Sequence, residues 1–137
     1  MKAYLDSSSF AKRFVEEDGS DRAEATCSQA LELGLSVVCV PEIVSALNRR
    51  KREHMLTALQ YDNAKQRLLD DVHDADLVNL TPSVIGSAIR ILERSPIRAM
   101  DALHVACALE WGADLFVSSD DRQLKAAKKA GLKTRKI

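Results

Sequence analysis

Aromatic residues make up only 4% of the 137 positions, and the sequence has no net charge, no cysteine pairing pattern and no long apolar run. Few aromatic rings leave few platforms for stacking single-stranded bases, so any contact with nucleic acid would read shape and backbone more than a succession of bases. A formal charge of +0, from 20 basic and 20 acidic side chains, excludes a generic electrostatic glue for polyanions, which needs a large cationic surplus. It does not exclude an enzyme that acts on nucleic acid. Cys27, Cys39 and Cys107 are odd in number, widely spaced and free of any C-x-x-C pair, so neither a disulfide framework nor a zinc site is indicated. They read as small buried thiols.

No apolar stretch approaches the roughly 18 residues of a membrane span, and the opening Ala3-Tyr4-Leu5 is cut off by Asp6, too early for a signal peptide. A cytoplasmic protein with no membrane partner is expected. Repeats, linkers and low-complexity segments are also missing, so residues 1–137 are read as one domain. At this length, with 46% apolar residues, it can bury roughly 68% of its unfolded surface without metal or disulfide staples.

What is present is an alternation of short apolar runs and amphipathic stretches. Lys2 to Leu5 predicts a strand, followed by three candidate caps, Ser7, Ser8 and Ser9, and a helix through Phe10, Phe14 and Val15. A helix from about Asp21 to Leu33 is expected to stop at Gly34, and the continuous apolar run Leu35 to Val40 suits a strand covered on both faces. Pro41 is placed at the start of the next helix, which breaks into the basic run Arg49 to Arg52. A helix over about Met55 to Val72, a strand over Leu77 to Leu80 and a helix capped by Thr81 and Pro82 follow.

The segment from Asp101 to Leu109 is apolar almost all round, which marks a buried central helix. A strand over Leu115 to Val117, a helix over Asp121 to Ala130 closed by Gly131, and a strand over Lys133 to Ile137 complete the chain. Connections this long rule out hairpins. The fold class is therefore α/β, a three-layer α/β/α sandwich around a mostly parallel sheet of four to five short strands.

In open parallel sheets the binding crevice lies beyond the carboxyl ends of the strands. Asp6 ends the first strand, Glu42 begins the helix after the second, and Asp120 follows the Leu115–Val117 strand after Ser118 and Ser119. Asp101, at the start of the buried helix, has no partner on its own apolar element. Each acid alone could be a helix-start residue that complements the macrodipole. Four at corresponding ends of the sheet are harder to explain that way, because crowded carboxylates repel and need a cation near neutral pH. Oxygen-only ligands favour Mg²⁺ or Mn²⁺, and such a site suits hydrolysis of a phosphodiester by an activated water.

Four segments carry a family resemblance: Tyr4-Leu5-Asp6-Ser7-Ser8, Val40-Pro41-Glu42-Ile43-Val44-Ser45-Ala46-Leu47, Met100-Asp101-Ala102-Leu103-His104-Val105-Ala106, and Phe116-Val117-Ser118-Ser119-Asp120-Asp121-Arg122. In this order and at these separations they resemble the four motifs of a PIN domain, in particular the VapC-like toxins of toxin–antitoxin pairs. The resemblance runs nearly end to end. It implies a PIN-like metal-dependent endoribonuclease, with Asp6, Glu42, Asp101 and Asp120 as the acidic quartet that holds Mg²⁺ or Mn²⁺. It also implies an RNA substrate, a cognate antitoxin protein as partner and a homodimer, for which the helices between about Glu42 and Val72 offer the first surface to test. Ser118 stands where the family more often has Thr, and the acid is doubled as Asp120-Asp121, with Asp121 the weaker candidate.

Ser7, Ser118, Asp121 and Arg49 are read as possible supporting residues or RNA contacts. Arg49 shares a helical stripe with Glu42, although the run Arg49 to Arg52 also serves as a solvated helix end. His104, one turn after Asp101, is read as a packing histidine, and Phe10, Phe14 and Trp111 as core residues. The tail from Arg122 onward has seven basic residues and no acidic one, a face for RNA or for an acidic antitoxin segment. One alternative is a catalytically silent PIN-like scaffold that binds RNA or protein. Another, a phosphorylated-aspartate domain using Asp6, wants an acid two residues on, where this chain has Ser8.

Overall fold

The computed structural model describes residues 1–137. In chain order the elements are β1 (Lys2–Leu5), α1 (Ser7–Ala11), α2 (Ser20–Gln29), β2 (Glu32–Ser36), α3 (Cys39–Arg52), α4 (Ala58–His73), β3 (Asp76–Val78), α5 (Pro82–Arg94), α6 (Ala99–Trp111), β4 (Leu115–Ser118), α7 (Asp121–Lys129) and β5 (Thr134–Lys136). The five strands pair in the order β3-β2-β1-β4-β5. Every pairing is parallel, so all five carboxyl ends share one edge of the sheet.

Strand alternation sorts the core into two layers. Ala3, Leu5, Leu35, Leu115 and Val117 point to one side and meet Phe10, Ala23, Ile43, Leu47 and Leu68 from the first four helices. Tyr4 and Phe116 point to the other side, their rings stacked 5.8 Å apart, and meet Val84, Ile91, Val105, Ala106 and Leu124 from the last three. The expected α/β/α sandwich is thus the observed one. The apolar helix α6 covers the middle of the sheet, which explains why it has no polar face.

Several helix ends follow local chemistry. Thr81 Oγ1 accepts from the Val84 amide, with Pro82 at the first helical position. Thr57 and Gln60 form a reciprocal capping box that starts α4 at Ala58, two residues after the half-buried Leu56 and three after the expected Met55.

The boundaries around the second strand differ from expectation. Gly34 lies inside β2, and α2 ends earlier, at Gln29. A Cβ on Gly34 would sit 2.6 Å from the Trp111 ring, so the glycine serves a close approach and not a helix end. Trp111 itself is only half-buried, lying across Gly34 beneath the Lys2 ammonium. The apolar run Leu35 to Val40 is divided: β2 stops with its neighbour β3 at the Ser36–Val78 pair, and Cys39 already opens α3, placing Pro41 third in that helix. A short apolar run does not by itself separate a buried strand from the first turn of a buried helix. The helix after β1 is also shorter than expected, closing at Ala11 with Phe14 buried from the following turn.

Cys39 and Cys107 are buried and Cys27 half-buried. Burial pushes the Cys39 thiol up to about 12 and the Cys27 thiol up to about 11, so neither is a thiolate near neutral pH. No helix is long and apolar enough to cross a membrane.

Candidate active site

The chain runs outward from β1 to β2 and β3, then returns to place β4 on the other flank of β1. The boundary between β1 and β4 is therefore the topological switch point, where loops diverge and leave a crevice beyond the carboxyl ends. Asp6 follows β1 directly, its amide held by the Val117 carbonyl of β4 at 3.2 Å. Ser118 ends β4, and Asp120 caps α7 just beyond. The switch point thus delivers two of the four acids by backbone geometry alone.

Asp6 is 4% exposed and is also the N-cap of α1: Oδ1 accepts the Ser9 amide at 3.0 Å. Its Oδ2 accepts the Ser118 hydroxyl at 2.7 Å. The same Ser118 oxygen lies 3.0 Å from Gln123 Oε1 and accepts the Asp120 amide at 3.0 Å. Gln123, 1% exposed, donates from Nε2 to the Asp101 carbonyl at 3.2 Å. One buried hydroxyl and one buried amide therefore tie the ends of β1 and β4, the start of α7 and the start of α6 into a single network. No local pattern singles out Gln123 in the sequence; its role arises from the packing of α7 against α6.

Glu42 arrives from the first turn of α3. Its Oε1 accepts the Ser7 hydroxyl at 2.6 Å and pairs with His104 Nε2 at 2.8 Å. His104, 3% exposed, holds Tyr4 Oη at 2.9 Å on its other nitrogen. His104 thus bridges Glu42 on Nε2 and the Tyr4 hydroxyl on Nδ1. Burial, with lesser contributions from neighbouring thiols and Asp6, raises the Tyr4 phenol well above its usual value, so it keeps the proton it donates. Burial also pushes the Glu42 carboxyl up, but the His104 and Ser7 hydrogen bonds and the His104 charge outweigh it and hold the carboxyl below its ordinary value. His104 is thus a packing residue that also orients Glu42. The signal available in the sequence was its placement three residues after Asp101, on the same helical face.

Asp101 stands at the third position of α6, its carboxylate about a quarter exposed and 3.7 Å from Arg98 Nε. Burial raises its pKa, and the charges of Asp120 and Asp6 add to that rise while Arg98 and His104 oppose it. The charges of Asp120 and Asp6 are therefore close enough to oppose ionisation of Asp101. No three acids and histidines are drawn into a ready-made ligand cluster. The donor set itself is all oxygen, and its mutual repulsion is what a divalent cation relieves.

The two neighbouring acids differ in their partners. Asp120 joins the network and accepts the Arg122 amide at 2.9 Å. Asp121 is exposed and paired with Lys136 at 2.9 Å and 3.0 Å. Arg49 is exposed two turns along α3 from Glu42. The basic run around it disperses: Arg50 pairs with Glu17 at 2.8 Å, and Lys51 lies over the Tyr61 ring.

Comparison with known proteins places the chain in a family. Residues 3–129 match the PIN domain. Ribonuclease VapC45 of Mycobacterium tuberculosis is 34% identical over 125 residues, covering 88% of this chain and 85% of that protein. Ribonuclease VapC3 of Pyrobaculum aerophilum is 29% identical over 124 residues, covering 90% and 92%. Among solved structures, Mycobacterium tuberculosis VapC20, described as a sarcin-ricin loop cleaving toxin, superposes with a TM-score of 0.70 at 17% identity over 95% of each chain. VapBC2 of Rickettsia felis, bound to a promoter DNA fragment, gives 0.70 at 11% identity over 100% of this chain and 99% of that one. The structures share the fold, the sequence relatives share a third of their residues over most of their length, and the family match spans the sheet from β1 to α7: the chain belongs to the PIN-domain family.

Proposed function

We propose that this PIN-domain protein is a metal-dependent endoribonuclease, the toxin of a toxin–antitoxin pair. What supports the reading most is the placement of Asp6, Glu42, Asp101 and Asp120, on four different elements, at the carboxyl-end edge of a parallel sheet. The names of its relatives, ribonucleases and VapBC pairs, support the activity and the protein partner.

Asp6, Asp101, Glu42 and Asp120 would hold Mg²⁺ or Mn²⁺. Bound there, the divalent cation supplies the positive charge that lets a phosphodiester approach four carboxylates and makes water a competent nucleophile. The rest of the work falls to the chain. Ser118 fixes Asp6 Oδ2, Gln123 fixes the backbone beneath Asp101, and His104 with Ser7 fixes Glu42. These bonds hold the acids in place before substrate arrives, which keeps reorganisation out of the reaction barrier. Glu42, held below its ordinary pKa, stays ionised and available to hold the cation or its water.

The homodimer is retained as a proposal, with exposed apolar side chains both on α4, Leu59 and Leu69, within the range between Glu42 and Val72 expected from the sequence, and on α5, Ile85, Ile89 and Leu92. Location in the cytoplasm remains part of the same proposal.

Purified protein should cleave RNA with Mg²⁺ or Mn²⁺, and a chelator should stop it. Asp6→Asn or Asp101→Asn should abolish cleavage with the circular dichroism spectrum retained; cleavage persisting in Asp6→Asn would sink the assignment. Growth arrest on expression, relieved by the product of the adjacent reading frame, tests the partner. The silent-scaffold reading draws on the absence of a ready-made three-ligand cluster. Calorimetry decides that point, since a scaffold would bind no Mn²⁺.

A further inference from the structure

Beyond the four carboxylates, the basic C-terminal segment sets a row of cations along α7. Lys136 turns to Asp121 at the start of that helix. Arg122, Lys125 and Lys129 recur at helical spacing and meet Arg94 from the end of α5. Together they line a cleft of about 500 Å³ that contains no acidic side chain and is floored by the small or apolar Ile97 and Ala126.

None of the molecule's ion pairs involves Arg94, Arg122 or Lys125. Lys129 secures the cleft, donating to the Arg94 carbonyl at 2.7 Å and so joining α5 to α7. Converging cations without carboxylate partners repel one another and concentrate counter-anions. Two of its lining residues are near the carboxylates in the chain: Ile97 precedes Asp101 by four residues, and Arg122 follows Asp120 by two.

We propose that this cleft between α5 and α7 is a phosphate-backbone subsite for the RNA strand, extending along Arg122, Lys125 and Arg94 to Lys129. The inference rests on the ribonuclease reading of the acidic site and specifies how substrate reaches it. The row Arg122, Lys125, Lys129 covers eight positions of α7, about 10 Å along its axis, which suits successive phosphates of one strand better than a single anion. The lining has no aromatic ring to stack a base, so the subsite positions the strand without reading its sequence. An acidic protein segment is the competing occupant. RNA is favoured because Arg122 stands two residues from Asp120 at the start of α7, where a polyanion approaching the carboxylates needs cations nearby.

The test uses the full chain carrying Asp101→Asn, with binding of a short fluorescein-labelled single-stranded RNA followed by anisotropy in a chelator across a salt series. Adding Arg94→Gln and Lys125→Gln, both at exposed positions, removes two phosphate contacts. The salt slope should fall by about 1.4 and affinity at about 0.1 M salt by roughly twentyfold, the loss shrinking as salt rises. Removing the same charge at Arg52 and Lys133, outside the cleft, should leave the slope within half of that change. Equal losses in the two double variants, or none in either, overturn the proposal. Unchanged RNA binding with lost binding of the protein encoded by the adjacent reading frame assigns the cleft to that partner and overturns it too. No RNA binding by the parent overturns it whatever the cleavage assay finds. Cleavage by the unsubstituted chain with Mn²⁺ judges the ribonuclease reading separately.

Discussion

Replacing Asp101 by asparagine removes one charge from the acidic cluster while keeping the shape of the side chain, and it separates electrostatic cost from metal affinity. Burial raises the Asp101 pKa, and the charges of Asp120 and Asp6 raise it further against Arg98 and His104. A folded-state value above the unfolded value of about 3.9 means that the native state holds the proton more tightly. Asp101 therefore contributes stability fully below the unfolded value, and that contribution is lost as pH rises through the folded one. At pH 7 without divalent cation, Asp101→Asn should be more stable than the parent. The carboxylate is 24% exposed and its Arg98 partner 91% exposed, so solvent screening holds the gain to ~0.5–1 kcal/mol.

With Mn²⁺ at about 100 times its Kd the parent should gain ~2.7 kcal/mol and the variant, short of a ligand, far less, so the order reverses. Urea unfolding followed by circular dichroism, in chelator and in Mn²⁺, at pH 7 and at about pH 3 where the carboxyl is protonated, measures all four corners. The advantage of the variant in chelator should vanish at the acid pH. A variant less stable than the parent in chelator at pH 7, or an equal Mn²⁺ gain in both proteins, would refute the reasoning.

Three other substitutions probe the supporting contacts. Ser118→Ala strips a buried donor from Asp6 and leaves the Asp120 amide unpaired, at a cost of ~2–4 kcal/mol in urea unfolding and most of the cleavage rate; Ser118→Thr, which keeps the hydroxyl, should restore both. His104→Phe leaves the buried Tyr4 hydroxyl and Glu42 without their partner, at ~2 kcal/mol. Because Glu42 is held below its ordinary value, its contribution is present above the unfolded pKa and lost as pH falls through the folded one, so this variant should lose less stability on acidification than the parent. Gly34→Ala drives a Cβ into the Trp111 ring and should cost ~1–3 kcal/mol with cleavage unaltered; combining it with Trp111→Leu should recover most of the loss, and no recovery would refute the steric account.

Much of the architecture was legible in local pattern. The strand–helix alternation, the Thr81-Pro82 helix start, the buried character of α6 and the placing of Asp6, Glu42 and Asp120 beyond strand ends all depend on chemistry within a turn or two of chain. The same pattern misplaced Gly34 because its reason is Trp111, an approach between β2 and α6 that no neighbouring residue reports. It also merged the end of β2 with the first turn of α3, since both are buried and apolar.

By itself, then, the sequence determined the layered α/β class and which acids stand at the strand ends, because periodicity, caps and breakers act locally. Only the tertiary structure decided what those acids touch. His104 reaches Glu42 across 62 residues and Ser118 reaches Asp6 across 112, separations bridged by the β1–β4 switch and the seating of α6 on the sheet. The two neighbouring aspartates are likewise told apart by distant partners, Asp120 joined to Ser118 and Asp121 drawn off by Lys136. Even the neutral balance of 20 against 20 acquires its meaning in three dimensions, with acids gathered at the switch point and unpaired cations lining the cleft between α5 and α7. Charge is counted along the chain, but attraction and repulsion depend on distance in space, which the order of the strands sets.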